Sequence, residues 1–171
     1  MKEIMLSIKP RWCVLIASGE KMIEIRKVKP DTELPFKCYI YCSSERNRTI
    51  KQAYEKGWTG SVIGEFICNE IRDAEDIPGE ELFKLSCMSY EDWDKYTAGH
   101  KGKVWGWNIS ELKMYDKPKK LREFRNLKVK GSESEHIRMS RPPQSYSYVE
   151  RFFEDVKKEN KSPAQSVRGY I

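Results

Sequence analysis

One short segment of the sequence, residues 18–26, concentrates charged side chains at a spacing that a solvated helix face does not explain. It carries a triad of Lys21, Glu24 and Arg26. Lys21 and Glu24 are three positions apart, so about 10 Å separates their Cα atoms in a fully extended chain, and a lysine side chain crosses much of that gap. Together the three groups can bind a phosphate, orient the edge of a base or transfer a proton. The alternative is a surface ion-pair cluster, which contributes little stability.

The elements on either side of the triad indicate how it is held. Pro10 suits the first turn of a helix, and apolar residues follow at helical spacing as far as Ile16. Gly19 is typical of a left-handed helix end. Residues 22–28 then alternate between apolar and polar, which predicts a half-buried strand with Glu24 and Arg26 on one face. A helix, a glycine turn and a strand in this order would fix the triad rigidly.

The rest of the chain predicts an α+β fold, a small mixed β-barrel with short helices inserted between its strands. Several short strands are separated by helical segments, and no regular βαβ alternation is present. Predicted strands cover residues 5–9, 22–28, 38–42, 61–71 and 104–109. Predicted helices lie near residues 50–57 and 82–85 and, from the capping-box pattern at Ser89, residues 89–99.

Composition and charge bound the class of protein. The chain has 171 residues, 39% hydrophobic and 34% charged, with a net charge of +6. No run approaches about 18 apolar residues, so we expect no membrane span. Residues 113–130 hold eight basic and two acidic residues, whereas residues 65–94 hold ten acidic and two basic ones. A basic flank suits nucleic acid, although charged solvated loops have a similar composition.

The cysteines predict a reduced, cytoplasmic protein without a metal centre. There are five, an odd number with no Cys-x-x-Cys pair, and there is no secretory signal pattern. Cys38 and Cys42 lack a nearby histidine and are expected to be small buried side chains. We therefore expect no metal and no cofactor, and the sequence leaves the oligomeric state open.

The triad segment resembles the signature of a known family. Gly19-x-Lys21-x-x-Glu24-x-Arg26 matches the GxKxxExR pattern of the ASCH domain family, a member of the PUA-like superfamily. The opening Ser7–Pro10 is similar as well, and the resemblance covers roughly residues 5–114. Bacterial and prophage-borne members are the most similar, since they share a Trp-Gly-Trp strand, here Trp105–Trp107, and a following Tyr-Asp-Lys-Pro stretch.

The resemblance implies a PUA-like β-barrel with a cleft beside the motif, and RNA or a nucleotide as its ligand. It divides the chain into an ASCH domain over residues 1–115 and a basic, polar extension over residues 116–171 that packs partly on the barrel. Some relatives remove an acyl group from modified cytidine, and some are reported as ribonucleases. In the amidohydrolases the position of Glu24 is a threonine thought to be the nucleophile, so Glu24 argues against that mechanism here.

Further candidates for ligand contacts lie outside the triad. Glu65, on a largely apolar strand, is a candidate proton-transfer partner, or else a carboxylate paired with Lys or Arg. Trp12, Trp105 and Trp107 are candidates for stacking on bases, worth about 1–3 kcal/mol per base, with core packing as the alternative. Lys9 belongs to the motif's opening and is a candidate binding residue.

The segment after Pro142-Pro143 is a further candidate. Gln144, Ser145 and Tyr146 follow these prolines and would hydrogen-bond a ligand if the segment folds back onto the cleft. A plain surface turn is the alternative.

Three functions remain open from the sequence. The first is an RNA- or nucleotide-binding module, with Lys21 and Arg26 on phosphate and Glu24 reading a base edge or fixing Arg26. The second is a hydrolase acting on a modified nucleoside or on RNA, with Lys21 and Glu24 as catalytic residues. The third is a protein-interaction adaptor. Convergence of the triad on a cleft would favour the first two.

Overall fold

The computed structural model describes residues 3–45, 49–127 and 138–151, which form an α+β fold of two sheets and four α-helices. The strands are β1 Glu3–Ile8, β2 Ile23–Arg26, β3 Phe36–Cys42, β4 Ser61–Cys68, β5 Ile71–Asp73, β6 Trp105–Asn108, β7 Ser110–Lys119, β8 Phe124–Asn126 and β9 Tyr146–Arg151. The helices are α1 Pro10–Ala17, α2 Lys51–Glu55, α3 Gly79–Ser86 and α4 Tyr90–Thr97.

The larger sheet has six strands in the order β7-β4-β3-β1-β9-β8, and only the central β1–β3 pair is parallel. The smaller sheet has the order β2-β6-β5 and is antiparallel. The α+β class expected from the sequence is confirmed; the described strands form two sheets without a closed barrel among them, so the small mixed β-barrel stays a prediction. The strand predicted over residues 61–71 is divided between the sheets, because the chain leaves β4 at Cys68 and enters β5 at Ile71 after two exposed residues.

The local signals in the sequence explain the helix ends. Pro10 occupies the first turn of α1, where its missing N–H removes no helical hydrogen bond. Ser89 and Asp92 form the capping box expected at the start of α4. No helix in the described ranges is long and apolar enough to cross a membrane.

The main core lies between one face of the larger sheet, α1 and β6. Trp107 is fully buried there and contacts the ring of Phe36 edge-on, with centroids 5.7 Å apart. Cys38 and Cys42 are buried in this core, as expected, and all five cysteines are free thiols. Burial raises the pKa of the Cys38 thiol well above its ordinary value, which keeps the thiol protonated.

The segment expected to be an appendage contributes strands to the larger sheet. The boundary expected after residue 115 falls inside β7, and β9 pairs with β1, with Leu6 opposite Tyr146. The backbone N–H of Ser7 also donates to the carbonyl of Ser145 at 3.1 Å. Residues 128–137 and 152–171, including part of the basic stretch, lie outside the described residues.

Candidate functional site: a buried charged triad in a cleft

The turn between α1 and β2 directs Lys21 inward. Gly19 has a φ of +79°, and its N–H donates to the carbonyl of Ile16 at 3.0 Å. The N–H of Lys21 then donates to the carbonyl of Leu15, also at 3.0 Å. Since a left-handed residue at this point costs a glycine little, the chain reverses tightly and enters β2 within a few residues.

The triad is buried and mutually paired. Lys21, Glu24 and Arg26 have exposed fractions of 2%, 6% and 7%. Glu24 lies between the two cations, with its Oε2 3.4 Å from Lys21 Nζ and its Oε1 3.0 Å from Arg26 Nη2. The surface ion-pair cluster considered above is therefore not what forms. Burying these charges without partners would be costly, so each cation depends on the shared carboxylate.

Lys21 has partners on three elements. Its Nζ donates to the carbonyl of Ser86, at the end of α3, at 2.8 Å, and lies 4.9 Å from the centre of the Trp12 ring. Burial, which penalises the charged ammonium, lowers the pKa of Lys21 from its ordinary value of 10.5, and the nearby Glu24 carboxylate opposes this shift. The result is a lysine whose ammonium form is less favoured than in water.

Arg26 cross-links three parts of the chain. Besides Glu24, its Nη2 donates to the carbonyl of Ser7 at 2.8 Å, and its Nη1 donates to the carbonyl of Ser145 at 3.2 Å. Ser145 was expected to hydrogen-bond a ligand. Its carbonyl accepts from Arg26 instead, and Ser145 is not among the residues that line the cleft. Most of the Arg26 guanidinium N–H groups are thus bonded to protein acceptors. Arg26 holds the Glu24 carboxylate in place and joins β1 to the segment before β9.

The triad opens onto a cleft of about 590 Å³, which lies within the usual size of small-molecule sites. Four elements meet there: the end of β1, α1, β2 and α4. Of the residues predicted from the sequence, Lys9, Trp12, Gln144 and the whole triad line the cleft. The remaining lining residues are Ser7, Ile8, Ile25, Lys27, Ser43, Met88, Asp92, Lys95 and Tyr96.

Sequence reasoning missed the wall that α4 contributes. Asp92, Lys95 and Tyr96 recur at the three- and four-residue spacing of one helix face, which was the available signal. No signal in the sequence of α4 itself indicates that this helix face is directed toward the triad. The helix is tied to α1 by an ion pair between Arg11 and Asp92, whose atoms are 3.0 Å apart.

Four other predicted residues lie away from the cleft. Trp107 is fully buried in the core and Tyr146 packs against it, with ring centroids 5.8 Å apart, so no base can stack on the Trp107 ring. Trp105 is half-buried, with Lys29 Nζ 5.3 Å from its ring centre. These aromatics match the packing alternative better than the stacking one.

Glu65, the fourth, belongs to a separate polar cluster on the larger sheet. It accepts a hydrogen bond from the hydroxyl of Tyr115 at 2.5 Å and lies 3.6 Å from Lys37 Nζ. Burial, with Glu65 beside it, raises the pKa of Tyr115. Glu65 is therefore a carboxylate paired with a lysine, which was the alternative to a proton-transfer partner, and it lies apart from the triad.

The described residues hold no group of three or more His, Cys, Asp or Glu side chains that suits a metal ion. The cleft instead combines five cations with the carboxylates of Glu24 and Asp92. This set of groups is suited to charged hydrogen bonds.

The two sheets and the cleft define a small α+β domain, and solved structures identify the fold more closely. The crystal structure of ASCH from Zymomonas mobilis matches with a TM-score of 0.59 at 19% identity, covering 87% of this chain and 88% of that chain. A serine-to-alanine mutant of ZmASCH from the same organism matches with 0.60 at 19% identity, covering 87% and 89%. A tyrosine-to-phenylalanine mutant matches with 0.54 at 21% identity, covering 71% and 77%.

No protein-family model and no curated protein matches the sequence. The structural matches show that this chain has an ASCH-domain fold, as the GxKxxExR segment predicted. The prophage-borne type remains a prediction.

Proposed function

We propose that the triad cleft binds a ribonucleotide, either free or as a unit of an RNA chain. The observation that carries this proposal is the charge layout of the cleft. The buried triad lies among its lining residues, and the lysines Lys9, Lys27 and Lys95 line it with greater exposure. A nucleotide joins a polar base edge to an anionic phosphate, and this layout offers a partner for each.

The phosphate is assigned to the three lysines. Arg26 is occupied by protein acceptors, so it acts as a positioning residue and not as the phosphate ligand first expected. Lys9 and Lys95 are exposed and Lys27 is half-buried. The Lys27 Nζ lies 4.9 Å from the centre of the Tyr96 ring. The Lys95 Nζ is paired with the exposed Glu91 at 2.6 Å, so a phosphate would compete with that carboxylate for Lys95. Phosphate contacts of this kind weaken as salt concentration rises.

The base edge is assigned to Glu24. Its Oε2 is buried and accepts no aligned hydrogen bond from the described residues, although it is ion-paired with Lys21. A buried acceptor of this kind gains from an added N–H donor. The exocyclic amino group of cytosine or adenine supplies one, whereas uracil presents a carbonyl at the corresponding position.

Calorimetric titration with cytidine 5′-monophosphate and uridine 5′-monophosphate at low and moderate salt tests this proposal. We expect the cytidine nucleotide to bind more tightly, Lys27→Ala to weaken both and reduce the salt dependence, and Lys21→Ala to abolish binding. Lys101→Ala is the matched control, because Lys101 is exposed, does not line the cleft and lies outside the basic stretch 113–130. A short labelled RNA in the same titrations distinguishes an RNA unit from a free nucleotide.

Two results would count against the proposal. Unchanged binding in both Lys21→Ala and Arg26→Ala would remove the triad from the site, provided that both variants remain folded by circular dichroism. Equal effects of Lys27→Ala and Lys101→Ala would show that only the net charge matters.

A hydrolase is the second candidate, and the lowered pKa of Lys21 beside Glu24 favours it. Perturbed lysine–carboxylate pairs in clefts are typical of proton-transfer sites. Lys21 would stabilise developing negative charge or act as a base, and Glu24 would transfer a proton to or from water.

Incubation with acylated cytidines and with labelled RNA tests this candidate. The expected result is turnover by the wild-type chain and its loss in Glu24→Gln. Absence of turnover on both substrates, or equal turnover by Glu24→Gln, would exclude the proposed mechanism. The convergence of the triad on a cleft supports either candidate over a protein-interaction adaptor.

A further inference from the structure

The end of α3 is bonded to the chain at two successive residues of the triad segment. Ser86 accepts from the Nζ of Lys21, and the carbonyl of Leu85 accepts from the backbone N–H of Met22, each at 2.8 Å. Carbonyls in the last turn of a helix have no partner within it and carry the negative end of the helix dipole. The Ser86 carbonyl therefore suits a cation, and Lys21 supplies it.

The direction of this carbonyl depends on an uncommon backbone conformation. Cys87, which follows α3, has a φ of +55°, in the left-handed region that few residues other than glycine adopt. The turn is closed by the backbone N–H of Met88, which donates to Ser86 Oγ at 3.3 Å. Ser86 is fully buried, and Met88 proceeds directly into the wall of the cleft.

We propose that the turn Ser86–Met88 is a positioning device for Lys21. A lysine ammonium has three hydrogens. The Ser86 carbonyl takes one and Glu24 attracts another, so the turn fixes which direction remains for a ligand in the cleft. Ser86 and Cys87 are positioning residues, since they act on the ligand only through Lys21. The proposal deepens the function proposed above and rests on the cleft being its site.

Substitutions at Cys87 distinguish the effect of its left-handed backbone conformation from the effect of its thiol. Cys87→Gly keeps the left-handed conformation without strain, whereas Cys87→Val places a β-branched side chain where it is strongly disfavoured. Cys87→Ala removes the thiol without adding branching. The charged or titratable groups facing Lys21 are Glu24 and Arg26 from β2 and the Cys87 thiol itself, and α1 adds the Trp12 ring.

The first readout needs no ligand. In protein labelled with ¹³C at lysine Cε, the pH titration of the Lys21 resonance, identified by its absence in Lys21→Arg, reports the ammonium directly. A carbonyl bonded to the charged form favours that form. All three variants lack the thiol, which raises the pKa of Lys21, so each should titrate below the wild type. We expect Cys87→Val to titrate at lower pH than Cys87→Gly and Cys87→Ala, because only the valine also disturbs the left-handed backbone. Equal midpoints in the valine and glycine variants would overturn the proposal.

The second readout is the affinity for cytidine 5′-monophosphate. Loss of a hydrogen bond to a charged group predicts a decrease of about tenfold or more in Cys87→Val, with recovery in Cys87→Gly. If the wild type binds no nucleotide, the proposed function fails while the titration still decides the positioning role. If Cys87→Val does not fold, Ser86→Ala decides in its place, because it removes the hydroxyl that holds Met88. An unchanged Lys21 midpoint there would equally reject the proposal.

Discussion

Glu24 is the carboxylate shared by both cations of the triad, so its loss should destabilise the fold more than the loss of Lys21. Replacing Glu24 by glutamine leaves both Lys21 and Arg26 buried without an anion. Replacing Lys21 by methionine leaves Glu24 paired with Arg26 at 3.0 Å. We therefore predict that Glu24→Gln destabilises the fold substantially more than Lys21→Met does.

The structure gives the expected magnitudes. Removing one partner of a buried ion pair costs about 3–5 kcal/mol, which applies to Glu24→Gln. Lys21→Met mainly leaves the buried Ser86 carbonyl without its donor, at a cost of about 1–3 kcal/mol. Denaturant unfolding followed by fluorescence and circular dichroism measures both free energies of unfolding, and the double variant completes the cycle.

The pH dependence of the free energy of unfolding provides a second test of the shared carboxylate. The pKa of Lys21 is lower in the folded chain than its ordinary 10.5, so the unfolded chain binds more protons between these two values. The free energy of unfolding therefore contains a contribution from Lys21 that rises with pH across this interval. Removing Glu24, the main group that raises this pKa, lowers it further, so the rise should begin at lower pH in Glu24→Gln.

The control is Glu20→Gln, which changes an exposed carboxylate on the same turn. Surface changes of this kind stay within about 0.5 kcal/mol. Equal destabilisation by Lys21→Met and Glu24→Gln, or the same pH dependence for Glu24→Gln and wild type, would refute the shared-carboxylate account.

Three further substitutions test how the fold supports the site. Gly64→Ala would place a Cβ 2.7 Å from the carbonyl oxygen of Lys113, so we expect a cost of about 1–3 kcal/mol in thermal unfolding and faster amide exchange along β7. Trp107→Ala should cost about 3–5 kcal/mol in denaturant unfolding, since its ring is fully buried between the sheets. Arg26→Lys keeps the charge beside Glu24 but loses the guanidinium fork, so the Ser7 amide should exchange faster by NMR while β7 is unaffected.

Each of these three predictions has a result that would contradict it. Normal stability of Gly64→Ala would mean that β4 and β7 are less closely paired than described. A small effect of Trp107→Ala would place that ring at the surface, where base stacking becomes possible again. Unchanged exchange in Arg26→Lys would show that the segment before β9 is held without the guanidinium.

The local elements of the site were readable from the sequence because short-range chemistry sets them. The proline at the start of α1, the glycine after it and the apolar alternation of β2 each restrict the backbone within a few residues. The same holds for the capping box of α4. The strands β7, β8 and β9 escaped prediction, because the segments that form them lack clear alternation. Their order comes from pairing: β7 pairs with β4, β9 with β1 and β8 with β9.

The triad itself was determined by the sequence as a set of residue types and spacings, and the sequence alone allowed either a solvated ion-pair cluster or a binding cleft. Only the tertiary structure decided that it is buried. Lys21 reaches a carbonyl 65 positions away and Arg26 reaches one 119 positions away. The α4 wall and the core position of Trp107 were decided in the same way. Such contacts depend on which surfaces pack together, and the free energy of packing belongs to the whole fold and not to any single segment.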